Sequence, residues 1–200
     1  MSLIETHNRI PLSTLRETYL PLMPRPPEPS HSITLETAKT LPAETFKACF
    51  DLVHECKDMY KRTIGWSATA KKREMKHPAM RYLILSAAGG GGKTVAVGFL
   101  SFMITEEDGF EVVYCYELHL AQEVRNRGLG RILVEVMEGF GKRVGVEKVM
   151  LTVFLENEGA RRFYSKLGYA RDDFTPDDVV GRNGRVRKVG YEVLSKGLKD

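Results

Sequence analysis

The chain has 200 residues, of which 42% are hydrophobic and 28% charged, and carries a formal net charge of +4. That suits one globular domain with a sizeable core, and the basic residues are spread along the chain rather than blocked, which argues against nucleic acid as the direct ligand. No apolar run approaches the ~20 residues that span a bilayer, so no membrane partner is expected. Cys49, Cys56 and Cys115 are odd in number and sit in apolar segments. They read as free thiols in a reducing compartment, cytoplasm or nucleus, and residues 1–10 are too polar for a signal peptide. The expected state is a monomer.

Residues 1–30 contain Pro11, Pro21, Pro24, Pro26, Pro27 and Pro29, which leaves only residues 12–20 able to form a short helix. Leu12, Leu15, Tyr19, Leu20, Leu22 and Met23 are more apolar than a solvated tail needs, so this arm is expected to pack on a domain formed by residues 31–200. Residues 32–36 alternate like a short strand. Over residues 41–63, Phe46, Cys49, Phe50, Val53, Cys56 and Tyr60 recur at spacings of three and four, which predicts one amphipathic helix broken by Ile64, Gly65 and Trp66. Residues 67–77 are polar and basic, a short helix or a loop. Residues 81–88 and 94–105 read as a hairpin joined by glycines 89–92, and Glu106, Glu107, Asp108 and Gly109 as the next turn.

Residues 110–120 are β-branched and aromatic and predict a central strand. Perfect alternation would put Phe110, Val112, Tyr114, Tyr116, Leu118 and Leu120 on one face and Glu111, Val113, Cys115, Glu117 and His119 on the other. Arg125, Asn126, Arg127, Gly128, Leu129, Gly130 and Arg131 then form a basic glycine turn opening onto a helix over residues 128–144. Unpaired N–H groups at a helix start carry partial positive charge, so such a turn can close around a phosphate. A Rossmann fingerprint would need a third glycine where Leu133 stands, and the loose P-loop match ending at Lys93 and Thr94 continues as a strand instead of a helix. Residues 147–155 are a strand reached by a helical crossover, hence parallel to the central one. Asn157 and Gly168 suit the two caps of a short helix, and residues 185–195 read as a closing strand.

Arg125, Gly128 and Gly130 fit the pattern R/Q-x-x-G-x-G/A, and Asn157, Ala160, Phe163, Tyr164, Leu167, Gly168 and Tyr169 form a second motif in the right order. On these two motifs the chain resembles the GNAT superfamily of N-acetyltransferases. The resemblance implies an α/β fold with a mixed, mostly antiparallel sheet, splayed central strands, helices on both faces, and acetyl-CoA as cosubstrate. It places the pyrophosphate on the turn from Arg125 to Arg131, the pantetheine on backbone groups of Leu118, His119 and Leu120, and Asn157 beside it. Further stretches, Tyr114-Cys115-Tyr116-Glu117, residues 148–154 with Thr152, Tyr191-Glu192, and Met59-Tyr60 with Gly65-Trp66, are similar to N-terminal acetyltransferases of the NatD type. These act on the histone H4 and H2-A tails, and what they imply is transfer to the α-amine of a chain beginning Ser-Gly-Arg-Gly.

By that resemblance Glu117 is the base, with burial expected to raise its pKa, and Tyr164 is a candidate acid for the leaving thiolate. Tyr116 can join Glu117 only if a bulge twists the strand, since neighbours on an ideal strand point to opposite faces. Tyr114, Tyr116, Thr152 and Tyr191 would meet the substrate, Tyr60 and Trp66 would line its entrance, and Glu107 would face its arginine. Thr105 stands where that pattern leads one to expect an acid. Two other readings stay open: acetylation of a lysine or small amine, and an acyl-CoA-binding module without turnover. No metal is called for.

Overall fold

The computed structural model describes residues 3–19, 26, 30–89, 93–180 and 186–199. Leu20, Leu22, Met23, most of the proline-rich segment and the middle of the glycine connection lie outside the described residues. The chain runs α1 (Leu3–Asn8), α2 (Leu12–Tyr19), β1 (His31–Thr37), α3 (Ala43–Glu55), α4 (Lys57–Thr63), α5 (Ala68–Met75), β2 (Arg81–Ala88), β3 (Thr94–Glu107), β4 (Phe110–Leu120), α6 (Leu129–Val144), β5 (Lys148–Phe154), α7 (Glu158–Lys166) and β9 (Tyr191–Gly197), with two-residue strands β6 (Ala170–Arg171), β7 (Val179–Val180) and β8 (Val186–Arg187) before the last. One sheet has the order β1-β2-β3-β4-β5-β9-β6, antiparallel except where β4 meets β5. This is the mixed, mostly antiparallel sheet with helices on both faces that the resemblance implies.

Several expectations need correction. The helix expected over residues 41–63 is two helices, because Cys56 leaves helical geometry (φ −91°, ψ 5°) and its N–H turns to the carbonyls of Val53 and His54. Residues 3–8, thought unable to form a helix, do form one. The closing strand starts later than expected, at Tyr191, and the run before it forms a separate β7–β8 pair. Residues 67–77 are helical from Ala68 because the Ser67 hydroxyl accepts from the Ala70 N–H, satisfying a donor that a helix start leaves unpaired.

Two cores flank the sheet. On one face α6 packs Leu133, Val136, Met137 and Phe140 against Leu100, Phe102, Val113, Leu151 and Val153. Leu15 and Tyr19 of α2 are buried in the same core, with the Tyr19 ring 4.4 Å from that of Phe140. On the other face α3 and α5 cover Tyr82, Ile84 and Phe99 with Phe50, Val53 and Met75. Each fully buried large side chain is worth about 1.5–3 kcal/mol, so both helical layers are held mainly by area.

The strands that frame the site are paired unusually. Along β3, Ser101 faces Glu117 and Phe102 faces Cys115, so Tyr116 is an extra residue on β4 without a partner on β3. Such a bulge turns the strand locally, and the alternation expected from the sequence fails there. Val113 and Cys115 belong to the α6-side core, and beyond the bulge it is Leu118 and Leu120 that join that side. Glu117 and His119 are thereby swung to the α3–α5 side, together with Tyr116. Pairing between β4 and β5 also stops early, covering only Val112 to Cys115 against Lys148 to Leu151.

Candidate active site

Where β4 and β5 part, two cavities open. The first, of about 520 Å³, is lined by Leu118, Leu120, Arg125, Asn126, Gly128, Gly130 and Arg131 on one wall and by Ala160, Phe163, Tyr164 and Lys166 of α7 on the other. Gly128 has φ +77°, a left-handed conformation that glycine adopts without penalty, and it sets the first N–H groups of α6 at the floor of this groove. With Arg125, Arg131 and Lys166 around the rim, the groove suits a polyanion, and its depth between splayed strands suits a thin amide-bearing chain. The residues present therefore fit a pyrophosphate followed by pantetheine. The Leu120 carbonyl is held by Arg125 Nε at 2.8 Å, and Arg125 also lies 3.7 Å from Glu55 of α3.

The second cavity is small, about 100 Å³, and joins the groove to the opposite face between Tyr116, Glu117, Leu118, Thr152, Phe154, Asn157 and Tyr164. The Asn157 side chain caps α7 through the Ala160 N–H at 3.1 Å, which fixes the wall it stands in. Tyr164 lines both cavities and is buried. Burial, then the neighbouring Cys115, push its hydroxyl well above the usual tyrosine range, so it is a neutral O–H able to donate to a developing thiolate.

Glu117 is the centre of the second cavity, and its side chain is 3% exposed. Oε1 accepts from the Tyr60 hydroxyl at 2.7 Å and from Lys71 Nζ at 2.9 Å, while Oε2 is 2.8 Å from His119 Nε2. Burial alone would raise its pKa, as the sequence led us to expect. The expectation fails because hydrogen bonds and charge from His119, then Lys71, outweigh desolvation and hold the carboxyl below its ordinary range. His119 is displaced the other way: burial opposes its charge, but contacts with Cys56 and Glu117 raise it above the usual histidine value. The pair takes up and releases a proton as a unit, and that proton belongs chiefly to the imidazole.

Around this carboxylate the structure brings together most of the substrate-side candidates. The ring of Tyr60 lies 5.4 Å from Trp66 and 4.9 Å from Phe154, and Tyr114 lies 5.2 Å from Tyr116. The Tyr114 hydroxyl is 2.6 Å from the Thr152 hydroxyl. Tyr191, the first residue of β9, is paired with Phe154 of β5, at the edge of the same surface. Glu107 stands further along β3 at its last residue, half-buried, with its carboxyl raised by burial and by Asp108. Arg131 lines the groove and forms an exposed pair with Glu135 at 2.7 Å, whereas Arg127, expected there from the sequence, does not line it.

Lys71, Cys56 and the His119 side chain were not singled out from the sequence. Lys71 looks like an ordinary helix lysine with Glu74 three residues on, and only the fold shows that its other partner is 46 residues away in sequence. His119 did leave a trace, since Glu117 and His119 two apart on a strand must share a face.

The acetyltransferase (GNAT) family is matched over residues 44–169. N-alpha-acetyltransferase 40 of Saccharomyces cerevisiae is 34% identical over 154 residues, 68% of this chain and 52% of that protein. An N-acetyltransferase of Bacillus subtilis, YdgE, is 32% identical over 57 residues, 28% of this chain and 36% of that protein. The chain thus spans about half the length, or less, of these relatives. Among solved structures, an acetyltransferase from Streptococcus agalactiae superposes with a TM-score of 0.61 at 14% identity, covering 85% of this chain and 99% of that one. Ard1 from Thermoplasma volcanium gives 0.57 at 13%, covering 86% and 99%. Both show the likeness of fold.

Proposed function

Because the chain belongs to the GNAT family of acetyltransferases, we propose that it is an N-terminal acetyltransferase that uses acetyl-CoA and acts on the free α-amine of chains beginning Ser-Gly-Arg-Gly, the tails of histones H4 and H2-A. The observation that carries the reading is the position of Glu117: a buried carboxylate in the small cavity joining the arginine-rimmed groove to an aromatic surface able to hold an extended peptide. The yeast relative's name supports the N-terminal α-amine as acceptor. A cytoplasmic and nuclear location and a monomeric state go with this proposal.

Acetyl-CoA, when bound, supplies an activated acetyl thioester. The protein's part is to receive an uncharged amine and to take its proton. An α-ammonium has a pKa near 8 against roughly 10.4 for lysine, so it is easier to deprotonate by about 3.3 kcal/mol. Glu117 is too weak a base alone, but its hydrogen bond to His119 makes the pair an acceptor whose basicity is set by the raised imidazole. That brings acceptor and amine close in pKa, the condition under which general-base catalysis is most effective. Glu117 accepts from the amine, and the proton is stored on His119. Tyr164 stands between groove and cavity as the hydroxyl that can give a proton to the departing thiolate.

Tyr60, Trp66, Tyr114, Tyr116, Thr152 and Tyr191 give a surface of aromatic faces and hydroxyls, suited to a small first residue and a peptide backbone. The deciding experiment is an acetylation assay over a panel of N-terminal peptides, with the acetyl group located by mass spectrometry. Ser-Gly-Arg-Gly should be preferred, and a peptide with a blocked α-amine and free lysines should not react. Equal rates on Met-Leu or Ala-Ala termini would remove the histone assignment.

A further inference from the structure

The Lys71 ammonium occupies the place that an incoming amine needs. Its Nζ lies 2.9 Å from Glu117 Oε1 and 2.6 Å from Glu74 Oε1, and 4.8 Å from the centroid of the Tyr60 ring. Carboxylate, rim acid and aromatic face are what a substrate α-ammonium would meet on reaching Glu117. The side chain is 13% exposed, and it lines a cavity of about 510 Å³ with Tyr60, Trp66 and Glu74. Glu117 and Tyr60 in turn line the small cavity that leads past Tyr164 to the groove. A primary amine is therefore tethered permanently beside the group proposed to activate amines.

We infer that Lys71 is a self-acetylation site: with no peptide bound, the protein transfers an acetyl group to its own Lys71 Nζ. This rests on the acetyl-transfer reading above but not on the histone substrate. The ammonium first loses a proton to the Glu117–His119 pair. The acetyl C–S bond then breaks as a C–N bond forms to Nζ, Tyr164 gives its hydroxyl proton to the departing sulfur and regains one from the Glu117–His119 pair, and the second amine proton leaves to solvent. Lys71 is a harder amine to deprotonate than an α-amine, because the charges of Glu117 and Glu74 outweigh the effect of burial and raise its pKa. Tethering offsets this, since a group held within reach acts as if present at very high concentration. Once acetylated, Nζ is a neutral amide, and Glu117 keeps Tyr60 and His119 but loses a cation.

The test is to incubate the protein with acetyl-CoA alone, locate acetyl groups by peptide mass spectrometry, and run a Ser-Gly-Arg-Gly peptide in parallel. Lys71 should be modified at least about tenfold faster than exposed Lys47 and Lys61, to the same extent over a roughly hundredfold dilution of protein, as an intramolecular step requires. The acetylated form, separated by charge, should melt several degrees below the unmodified protein, because Glu117 has lost an ion-pair partner. Modification of Lys71 no faster than Lys47, a rate that rises with protein concentration, or an unchanged melting temperature would overturn the inference. If the peptide is acetylated and Lys71 is not, this inference fails alone; if neither is acetylated, the acetyl-transfer reading fails with it.

Discussion

Glu117 reaches His119 within its own strand, Oε2 to Nε2 at 2.8 Å, because the extra residue Tyr116 rotates both onto the α3–α5 side of the sheet. Without that bulge the two would point with Cys115 into the core under α6, where an ionised carboxylate has no partner. The bulge is thus what makes a charged strand residue tenable and places it between groove and peptide surface.

Replacing Glu117 by Gln keeps the shape but removes the acceptor of the amine proton. The catalytic constant should fall by roughly 10² to 10⁴ with acetyl-CoA affinity nearly intact. Stability should fall as well, by about 3 kcal/mol, since Lys71 and His119 are left as buried cations without their carboxylate. Steady-state kinetics and thermal melting measure the two effects separately, and a variant as fast as wild type would take Glu117 out of the mechanism.

Activity and stability should respond to pH in opposite directions. His119 is raised in the folded state, so its stabilisation is complete below its unfolded pKa of about 6.5 and is lost as pH climbs through the raised value. Glu117 is lowered, so its share is present above about 4.3 and is lost as pH falls through the folded value. The melting-temperature gap between wild type and His119→Gln should be widest between those limits and shrink in alkali. Meanwhile kcat/KM should rise as His119 deprotonates, and His119→Gln should displace that alkaline limb. Identical pH–rate profiles for the two proteins would exclude His119 as the proton store.

The glycines of the turn should separate strain from occlusion. Gly128 has φ +77° with open space around it, so Gly128→Ala should destabilise the turn by about 1 kcal/mol through backbone strain alone. A Cβ at Gly130 would meet Leu120 and Phe163 at ordinary distances of 3.5 Å and more, so Gly130→Ala should fold normally. Gly130→Val extends into the groove, and the Michaelis constant for acetyl-CoA should rise without loss of fold. Unchanged acetyl-CoA binding in folded Gly130→Val would refute the pyrophosphate assignment.

Recognition of a substrate arginine can be assigned by a double-mutant cycle. Glu107→Ala should weaken Ser-Gly-Arg-Gly by about 1.5–3 kcal/mol, and the same change measured on Ser-Gly-Ala-Gly should cost almost nothing. Additive losses would leave Glu107 as a solvated acid of the β3–β4 turn.

Much of the fold was legible because periodicity reports burial. The edges of β2 were read correctly beside the connection of glycines 89–92, and α6 from apolar residues at helical spacing up to Val144. The turn into α6 was legible at Gly128, whose φ of +77° few residues other than glycine adopt. What local pattern could not carry was the break at Cys56, which no proline or glycine marks, and the faces of β4 beyond Tyr116. The pKa of Glu117 was misjudged for a related reason. Burial can be read from a strand's pattern, but its effect is reversed first by the hydrogen bond to His119 and then by Lys71, from a helix 46 residues earlier.

The early end of β4–β5 pairing has a mechanical side. Four residue pairs, Val112 to Cys115 against Lys148 to Leu151, are the seam between a four-stranded plate and a three-stranded one. Beyond that seam each plate presents a raw edge to the cleft, and a ligand lodged there with amides of its own acts as a stitch. Amide protons on the cleft-facing edges of residues 116–120 and 152–154 should exchange with deuterium quickly in the free protein and slow markedly once the cleft is filled. The gain in rigidity would then be borne by the sheet as a whole, and not by the glycine turn before α6 alone.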